Sequence, residues 1–105
     1  MVGSLFLAKI YFTDEKGFKI RPILIIGENQ FSDYLVLPLT TNFSIDGPKI
    51  TSNDLHKGNL KRKSIVVVDK LLTVHENLLH RKLGEIESET LEKIKVSFCE
   101  KMGCN

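Results

Sequence analysis

The sequence predicts a mostly β domain whose antiparallel strands are followed by a single C-terminal helix. Apolar segments near the N-terminus are separated by short polar turns, a pattern typical of an antiparallel meander. Apolar residues recur at helical spacing after Ser88, which indicates a helix that covers the sheet. The chain has 105 residues, of which 42% are hydrophobic and 27% charged, so it has room for one core. We therefore expect a single domain over residues 1–105.

The first three strands are predicted over residues 3–11, 21–26 and 34–39, with polar turns at 13–17 and 28–30. Pro38 falls near the end of the third strand, where a missing backbone donor is tolerated. A valine-rich strand follows over 64–69, one helical turn is expected within 74–80, and a last strand covers 81–86. The prediction is thus about five strands and a helix.

The final helix has recognisable start and stop signals. Ser88 is a candidate N-cap with Glu89 favourably placed in the first turn, and Gly103 is a natural stop. Its apolar stripe, which we expect to cover the sheet, consists of Leu91, Ile94, Phe98 and Met102.

The charge and the cysteines exclude some classes of protein. A net charge of +2 and a pI near 8.6 are too mild to indicate a nucleic-acid partner by themselves. The apolar stretch 5–8 lacks a basic leader and is interrupted by Lys9, so we expect a cytoplasmic protein without signal peptide or membrane span. Cys99 and Cys104 lack the spacings of a disulfide framework or zinc site, and we expect both to be reduced.

Arg21 is the residue on which the functional prediction depends. Pro22 restricts the preceding residue to extended backbone angles, so Arg21 enters a strand rather than a helix. The aliphatic run 23–26 is typical of a strand buried on both faces. A guanidinium at the start of such a strand is costly to bury without an anionic partner. That partner could be Asp14, Glu15 or a group arriving from solvent.

Two loops are predicted after the third strand, over residues 40–48 and 53–63. The second is basic and contains His56 and, beyond it, Lys57, Lys61, Arg62 and Lys63. Such a charge run is either a solvated loop or a track for nucleic-acid phosphates, and both interpretations stay open.

The order of short motifs resembles the MazF/PemK family of bacterial toxins. The resemblance covers the chain from Gly3 to about Met102 and begins with Lys19-Ile20-Arg21-Pro22 before an aliphatic strand. It continues with Leu37-Pro38-Leu39-Thr40-Thr41-Asn42, Gly58-Asn59-Leu60, Ser64 before the valines, and Leu83-Gly84-Glu85-Ile86. Two departures are Asp69-Lys70, where the family commonly has Asp-Gln, and Gly3-Ser4, where it usually has Gly-Asp.

The resemblance implies a small SH3-like antiparallel β-barrel of the MazF/PemK/CcdB kind that forms a homodimer. It also implies a sequence-specific, metal-independent endoribonuclease without cofactor that cuts single-stranded mRNA and is held inactive by a cognate antitoxin. An antitoxin segment with acidic and aromatic groups is expected to cover Arg21 and the basic loop. Carried over by motif, the catalytic residues are Arg21 and Thr40.

The chemistry of Arg21 and Thr40 meets part of what RNA cleavage requires. Cleavage through the 2′-hydroxyl needs a proton acceptor, a group that stabilises the charged phosphorane-like transition state, and a proton for the departing 5′-oxygen. Arg21 suits the second task but is a poor base, and Thr40 offers a hydroxyl. His56 is a candidate base because histidine titrates near neutrality. Asp14 is either an ion-pair partner of Arg21 or an orienting carboxylate.

The predicted RNA-binding residues flank these groups, and Phe18 among them is equally suited to stack a base or to fill a core or interface. They are Lys16, Phe18, Lys19, Thr41, Asn42, Lys57, Lys61, Arg62 and Lys63. Two other functions stay open from the sequence: a non-enzymatic toxin that binds gyrase as CcdB relatives do, and an SH3-like module that binds RNA without cutting it.

Overall fold

The computed structural model describes residues 1–11 and 17–104, and it confirms the predicted N-terminal meander. The first three strands are β1 (Ser4–Tyr11), β2 (Phe18–Glu28) and β3 (Asp33–Thr40). β2 lies between the other two and pairs with each in antiparallel register. β2 is longer than predicted because Phe18, Lys19 and Ile20 pair with β1 before Arg21 is reached.

Five further strands complete the sheet within the described residues: β4 (Lys49–Ile50), β5 (Leu55–Gly58), β6 (Ser64–Val66), β7 (Leu72–His75) and β8 (Leu79–Ile86). The strand order is β4-β6-β3-β2-β1-β8-β5, and β7 also pairs with β3. The sheet curls into a half-barrel with the C-terminal helix packed against it. The predicted fold class, mostly antiparallel β with a C-terminal helix, is therefore confirmed.

The aliphatic run of β2 is buried on both faces, as predicted. Leu24 belongs to the cluster that the helix covers, whereas Ile23 and Ile25 belong to a second cluster on the opposite face with Val36 and Val74. All three β2 side chains are fully buried. Neighbouring residues of one strand point to opposite faces, so a single run supplies both cores.

The helix α1 (Ser88–Met102) begins one residue earlier than predicted. Its N-cap is Glu87, whose side chain makes no capping hydrogen bond, so the prediction of Ser88 as N-cap was wrong. Leu91, Ile94 and Phe98 pack on the first cluster. Met102 is 52% exposed and does not pack on that cluster, so the prediction that it belongs to the covering stripe was wrong.

The chain turns back after α1, and this turn contradicts the prediction of reduced cysteines. Gly103 adopts a left-handed conformation, φ 71°, which confirms it as the helix stop. The N–H of Cys104 then donates to the carbonyl oxygen of Cys99 at 3.2 Å. The two Cα atoms lie 4.8 Å apart, and a disulfide joins the side chains.

Three other predicted segments differ in the structure. Residues 53–63 are not one loop, because Leu55–Gly58 forms β5 and pairs with β8. The valine-rich strand is shorter than predicted, since a turn closed by Lys70 N–H and the Val67 carbonyl oxygen at 3.3 Å separates β6 from β7. The helical turn expected within 74–80 is a 3₁₀ turn at Glu76–Leu78.

Candidate active site

The register between β2 and β3 brings Arg21 to Thr40. Ile23 pairs with Pro38 and Leu24 with Leu37, so the same register continued two residues further sets Arg21 level with Thr40. At that point β3 pairs with β6 on its other side, Thr40 opposite Ile65. The sheet therefore opens between β2 and the end of β3, where both predicted catalytic residues lie.

A cleft of about 400 Å³ occupies this opening. Its walls include Arg21, Thr40, Thr41, Asn42 and Ser64. The guanidinium of Arg21 is exposed, and Thr40 is half-buried. The structure thus brings together both predicted catalytic residues and two of the predicted RNA-binding residues in one cleft.

The loop after β3 is ordered by consecutive local hydrogen bonds. Thr40 Oγ1 accepts from the N–H of Asn42 at 3.1 Å. Asn42 Oδ1 in turn accepts from the N–H of Ser44 at 3.1 Å and from its hydroxyl at 2.8 Å. Because a hydroxyl has both lone pairs and a proton, Thr40 keeps its O–H to donate toward the cleft. These bonds hold the Thr40 oxygen at the start of the loop, on the wall of the cleft that Arg21 also lines.

A second, larger cleft of about 450 Å³ adjoins the first and shares Pro22, Thr41 and Ser64 with it. Lys61 and Arg62, both predicted RNA-binding residues, lie on its wall. Its other basic side chains are Arg81 and Lys82 of β8, which sequence reasoning missed. Arg81 pairs with Leu7 of β1, and only that register shows that it reaches the cleft.

The basic segment between β5 and β6 is anchored at both ends. The hydroxyl of Ser52 lies 2.7 Å from Asn59 Oδ1 and 2.8 Å from the Leu60 carbonyl oxygen, and it accepts from the Leu60 N–H at 2.9 Å. At the other end the buried Ser64 hydroxyl donates to the Arg62 carbonyl oxygen at 3.0 Å. The side chains of residues 61–63 remain exposed between these anchors.

His56 lies on β5 and lines neither cleft. Its Nε2 is 3.3 Å from a carboxylate oxygen of Glu85, and the other oxygen of that carboxylate accepts from Lys82 Nζ at 2.7 Å. The hydrogen bond from Lys82 lowers the pKa of Glu85. The structure therefore does not bring His56 together with Arg21 and Thr40.

The remaining predicted residues are spread around the site. Phe18 begins β2, with its ring 46% exposed, 5.8 Å from the ring of Tyr11 and 4.6 Å from the ammonium of Lys9. Three basic residues are exposed and line neither cleft; these are Lys19, Lys57 and Lys63. Asp14 and Lys16 lie outside the described residues.

Comparison with known proteins adds the family. Residues 2–101 match the family model of the PemK-like, MazF-like toxins of type II toxin–antitoxin systems. The chain is a MazF/PemK-family toxin. No curated protein sequence matches it.

Solved structures share the fold of this toxin at low sequence identity. The Mycobacterium tuberculosis toxin MazF-mt6 is 19% identical with a TM-score of 0.72, and the match covers 97% of this chain and 98% of that one. An endoribonuclease in complex with its cognate antitoxin, from a Mycobacterial species, is 19% identical with a TM-score of 0.67 and coverages of 100% and 96%. A further Mycobacterial endoribonuclease is 19% identical, with a TM-score of 0.63 and coverages of 98% and 90%.

Residues 1–11 and 17–104 contain no group of three or more His, Cys, Asp or Glu side chains placed to hold a metal ion. Within the same ranges, no helix has the length and apolar character needed to cross a membrane.

Proposed function

We propose that this toxin is a sequence-specific endoribonuclease that cleaves single-stranded mRNA through the 2′-hydroxyl of its substrate, without a metal ion, and so inhibits translation. The observation that carries the proposal is the cleft that holds Arg21 and Thr40 together. The adjoining cleft, with Lys61 and Arg62 on its wall, supplies positive charge for the RNA backbone. Two structural neighbours are endoribonucleases, which agrees with this function.

The proposed reaction is an attack of the 2′-oxygen on the adjacent phosphorus. A bond from the 2′-oxygen to phosphorus forms, the bond from phosphorus to the 5′-oxygen breaks, and the products are a 2′,3′-cyclic phosphate and a 5′-hydroxyl. Negative charge accumulates on the non-bridging oxygens in the transition state. Arg21 is suited to stabilise it, because the planar guanidinium donates two parallel hydrogen bonds and keeps its charge.

Thr40 is proposed to position the phosphate. Its oxygen already accepts from the Asn42 N–H at 3.1 Å, so its hydroxyl proton is free to donate to a non-bridging oxygen held by Arg21. Neither residue is a base at neutral pH. The candidate for that role, His56, pairs with Glu85 away from the clefts, and its substitution tests the assignment directly.

The toxin is proposed to act in the cytoplasm as a homodimer and to be neutralised by a cognate antitoxin. One structural neighbour is in complex with its own antitoxin. An antitoxin segment rich in acidic and aromatic groups would match the exposed guanidinium of Arg21 and the basic residues 61–63. Inhibition of cleavage by a synthetic acidic peptide from the neighbouring reading frame would support this partner, and failure to inhibit would count against it.

The decisive experiment compares the wild-type chain with Arg21→Ala on a long unstructured RNA in EDTA. Fragment ends are mapped by primer extension, and far-ultraviolet circular dichroism verifies folding. We expect discrete cuts at a recurring sequence for the wild type and none for Arg21→Ala. Lys93→Ala, which removes an exposed charge from α1, is the matched control and should cut normally.

Two results would reject the proposal in different directions. RNA that is bound but left intact by the wild type would favour the non-cleaving RNA-binding module. RNA that is neither bound nor cut would favour the gyrase-binding toxin and direct the search to a protein target. Equal cleavage by Arg21→Ala would leave the nuclease but remove Arg21 from its chemistry.

A further inference from the structure

The larger cleft has an apolar floor that the cleavage chemistry does not use. Leu7 and Pro22 pair across β1 and β2, and Leu60 and Leu83 complete the floor. Sequence-specific recognition of single-stranded RNA depends on unstacked bases laid on apolar or planar surfaces. An apolar floor beside a catalytic cleft therefore suits the face of a nucleobase.

The two clefts adjoin, so neighbouring nucleotides of one RNA strand are proposed to occupy both. Pro22, Thr41 and Ser64 line the smaller and the larger cleft alike. A phosphate held by Arg21 and Thr40 would then place an adjacent nucleotide over the floor of the larger cleft.

The charge around the larger cleft favours RNA over a second copy of the chain. Its basic side chains come from two directions, Lys61 and Arg62 from the segment before β6 and Arg81 and Lys82 from β8. Two copies meeting at this cleft would bring like charges together, whereas RNA phosphates complement them. Since Lys82 Nζ lies 2.7 Å from Glu85, the charge of Lys82 is partly matched within the protein.

Asn59 supplies the polar group most suited to read a base at this cleft. Its Oδ1 lies 2.7 Å from the Ser52 hydroxyl, and when that hydroxyl donates to it rather than to the Leu60 carbonyl oxygen, the NH₂ of the amide is left as the group to donate. Arginine and lysine are donors only, and the hydroxyls of Thr41 and Ser64 can act either way. The wall is thus rich in donors. Uracil and guanine present a carbonyl oxygen where cytosine and adenine present an exocyclic amine.

We propose that the larger cleft is a subsite for a nucleotide flanking the scissile phosphate, and that Asn59 makes it select uracil or guanine. The inference rests on the proposed ribonuclease function and extends it to the substrate sequence. Asn59 is here a specificity residue with no part in bond breaking.

The test uses RNAs that differ only by uracil or cytosine at each position flanking the mapped cut. The wild type should prefer uracil over cytosine in kcat/KM at one position by about fivefold or more, because one good base-edge contact discriminates by about that much. Asn59→Asp keeps the oxygen that faces Ser52 and replaces the NH₂ donor by an acceptor. We expect Asn59→Asp to lose or reverse the preference, since an acceptor pairs with the amine of cytosine.

Asn53→Asp is the matched control, because it makes the same change at an exposed position that lines neither cleft. It should keep the wild-type ratio. Dividing rates for the two bases cancels any general loss that an added negative charge causes. A wild type with equal rates for uracil and cytosine, and for guanine and adenine, at every flanking position would overturn the subsite. An unchanged ratio in Asn59→Asp would remove Asn59 from it.

A binding measurement separates this proposal from the ribonuclease function. Short oligonucleotides with uracil or cytosine at each position in turn, and 2′-deoxyribose throughout to prevent cleavage, are titrated into both proteins, and the Kd ratio is compared. A uracil preference that Asn59→Asp abolishes, in a protein that cuts no RNA, would support the subsite and reject the nuclease. Cleavage of RNA without any base preference would support the nuclease and reject the subsite. Failure to bind either oligonucleotide, together with intact RNA, would reject both.

Discussion

Arg21 carries a fixed charge and is exposed, just before the β2 residues that enter the two hydrophobic clusters. Arg21 is exposed and lines a cleft, so replacing it should not disturb the buried β2 residues that follow. Arg21→Lys keeps the charge and loses the planar fork. We expect single-turnover cleavage to slow by about a hundredfold or more, because a point charge cannot hold two phosphate oxygens at once. A rate within a few-fold of wild type would show that charge alone suffices.

At Thr40, two substitutions separate the effect of the hydroxyl group from the effect of side-chain volume. Thr40→Val preserves the side-chain volume but removes the acceptor for the Asn42 N–H and the donor toward the phosphate. Thr40→Ser restores both. We expect the valine variant to lose about tenfold or more in kcat and the serine variant to recover most of it. If serine were as slow as valine, the methyl group rather than the hydroxyl would be the important part.

His56 can be tested in the same assay. Its Nε2 faces Glu85 at 3.3 Å and it lines neither cleft, so we expect His56→Gln to cleave RNA at close to the wild-type rate. Loss of the alkaline or acidic limb of the pH–rate profile in this variant would instead identify His56 as the acid or base.

At the residue scale, the sequence was sufficient to nominate Arg21 and Thr40, together with the RNA-binding residues just after β3 and just before β6, but not the cleft residues that β8 supplies. Pro22 fixes the backbone of Arg21 locally, and the resemblance supplies Thr40. Arg81 and Lys82 are brought to the cleft by the pairing of β8 with β1, which is interrupted by register shifts. A shift of one residue moves every side chain to the other face, so alternation alone could not place them.

At the element scale, the backbones of β5 and β8 approach each other closely at Gly84. A Cβ added at Gly84 would overlap the Lys57 carbonyl oxygen, which is backbone and cannot swing away. We expect Gly84→Ala to lower the free energy of unfolding by about 2 kcal/mol or more, measured by urea titration. In Gly27→Ala, the control, the new Cβ would meet the Leu35 side chain at 3.3 Å, and we expect a smaller loss. If both variants lost the same free energy of unfolding, the close approach of the β5 and β8 backbones would not explain the effect of Gly84→Ala.

Glu85 of β8 gives the protein a predictable acid dependence. Its pKa is lowered, first of all by the hydrogen bond from Lys82, so the bond stabilises the fold above the ordinary glutamate value of 4.5. That contribution is lost as the pH falls through the lowered pKa of the folded state. We expect Glu85→Gln to flatten the dependence of unfolding free energy on pH below 4.5. An unchanged dependence would show that other carboxylates dominate.

The features that sequence reasoning missed are short strands and a local disulfide. β4 and β5 have two and four residues, too few to show a hydrophobic period. The Cys99–Cys104 disulfide follows from the left-handed turn at Gly103 rather than from a spacing pattern. Long apolar segments and the helix stripe through Phe98 were predictable because their periods are sustained.

At the scale of the whole molecule, the cores and the clefts occupy different parts of one curled sheet. The central strands are buried on both faces, whereas the clefts form where β2 and the end of β3 separate and where β8 pairs with β1. The apolar segments and the helix stripe therefore predicted the fold. The convergence of residues 40–42 and 59–62 could not be predicted, because it depends on how β6 joins the two segments.

The net charge of +2 is mild, but basic side chains are concentrated around the larger cleft. The salt dependence of RNA binding measures how many of them contact phosphates. Each phosphate contact to single-stranded RNA contributes about 0.7 to the slope of log K against log salt concentration. If Lys61 and Arg62 each contact one phosphate, changing both to glutamine should make the slope shallower by about 1.4. The measurement is Kd for a 2′-deoxy oligonucleotide at several salt concentrations. A control that changes Lys93 and Lys101 of α1, both exposed and away from the clefts, should keep the wild-type slope. Equal slopes in the Lys61 and Arg62 variant and in wild type would place the RNA backbone elsewhere, since neutralising two contacting cations must reduce counterion release.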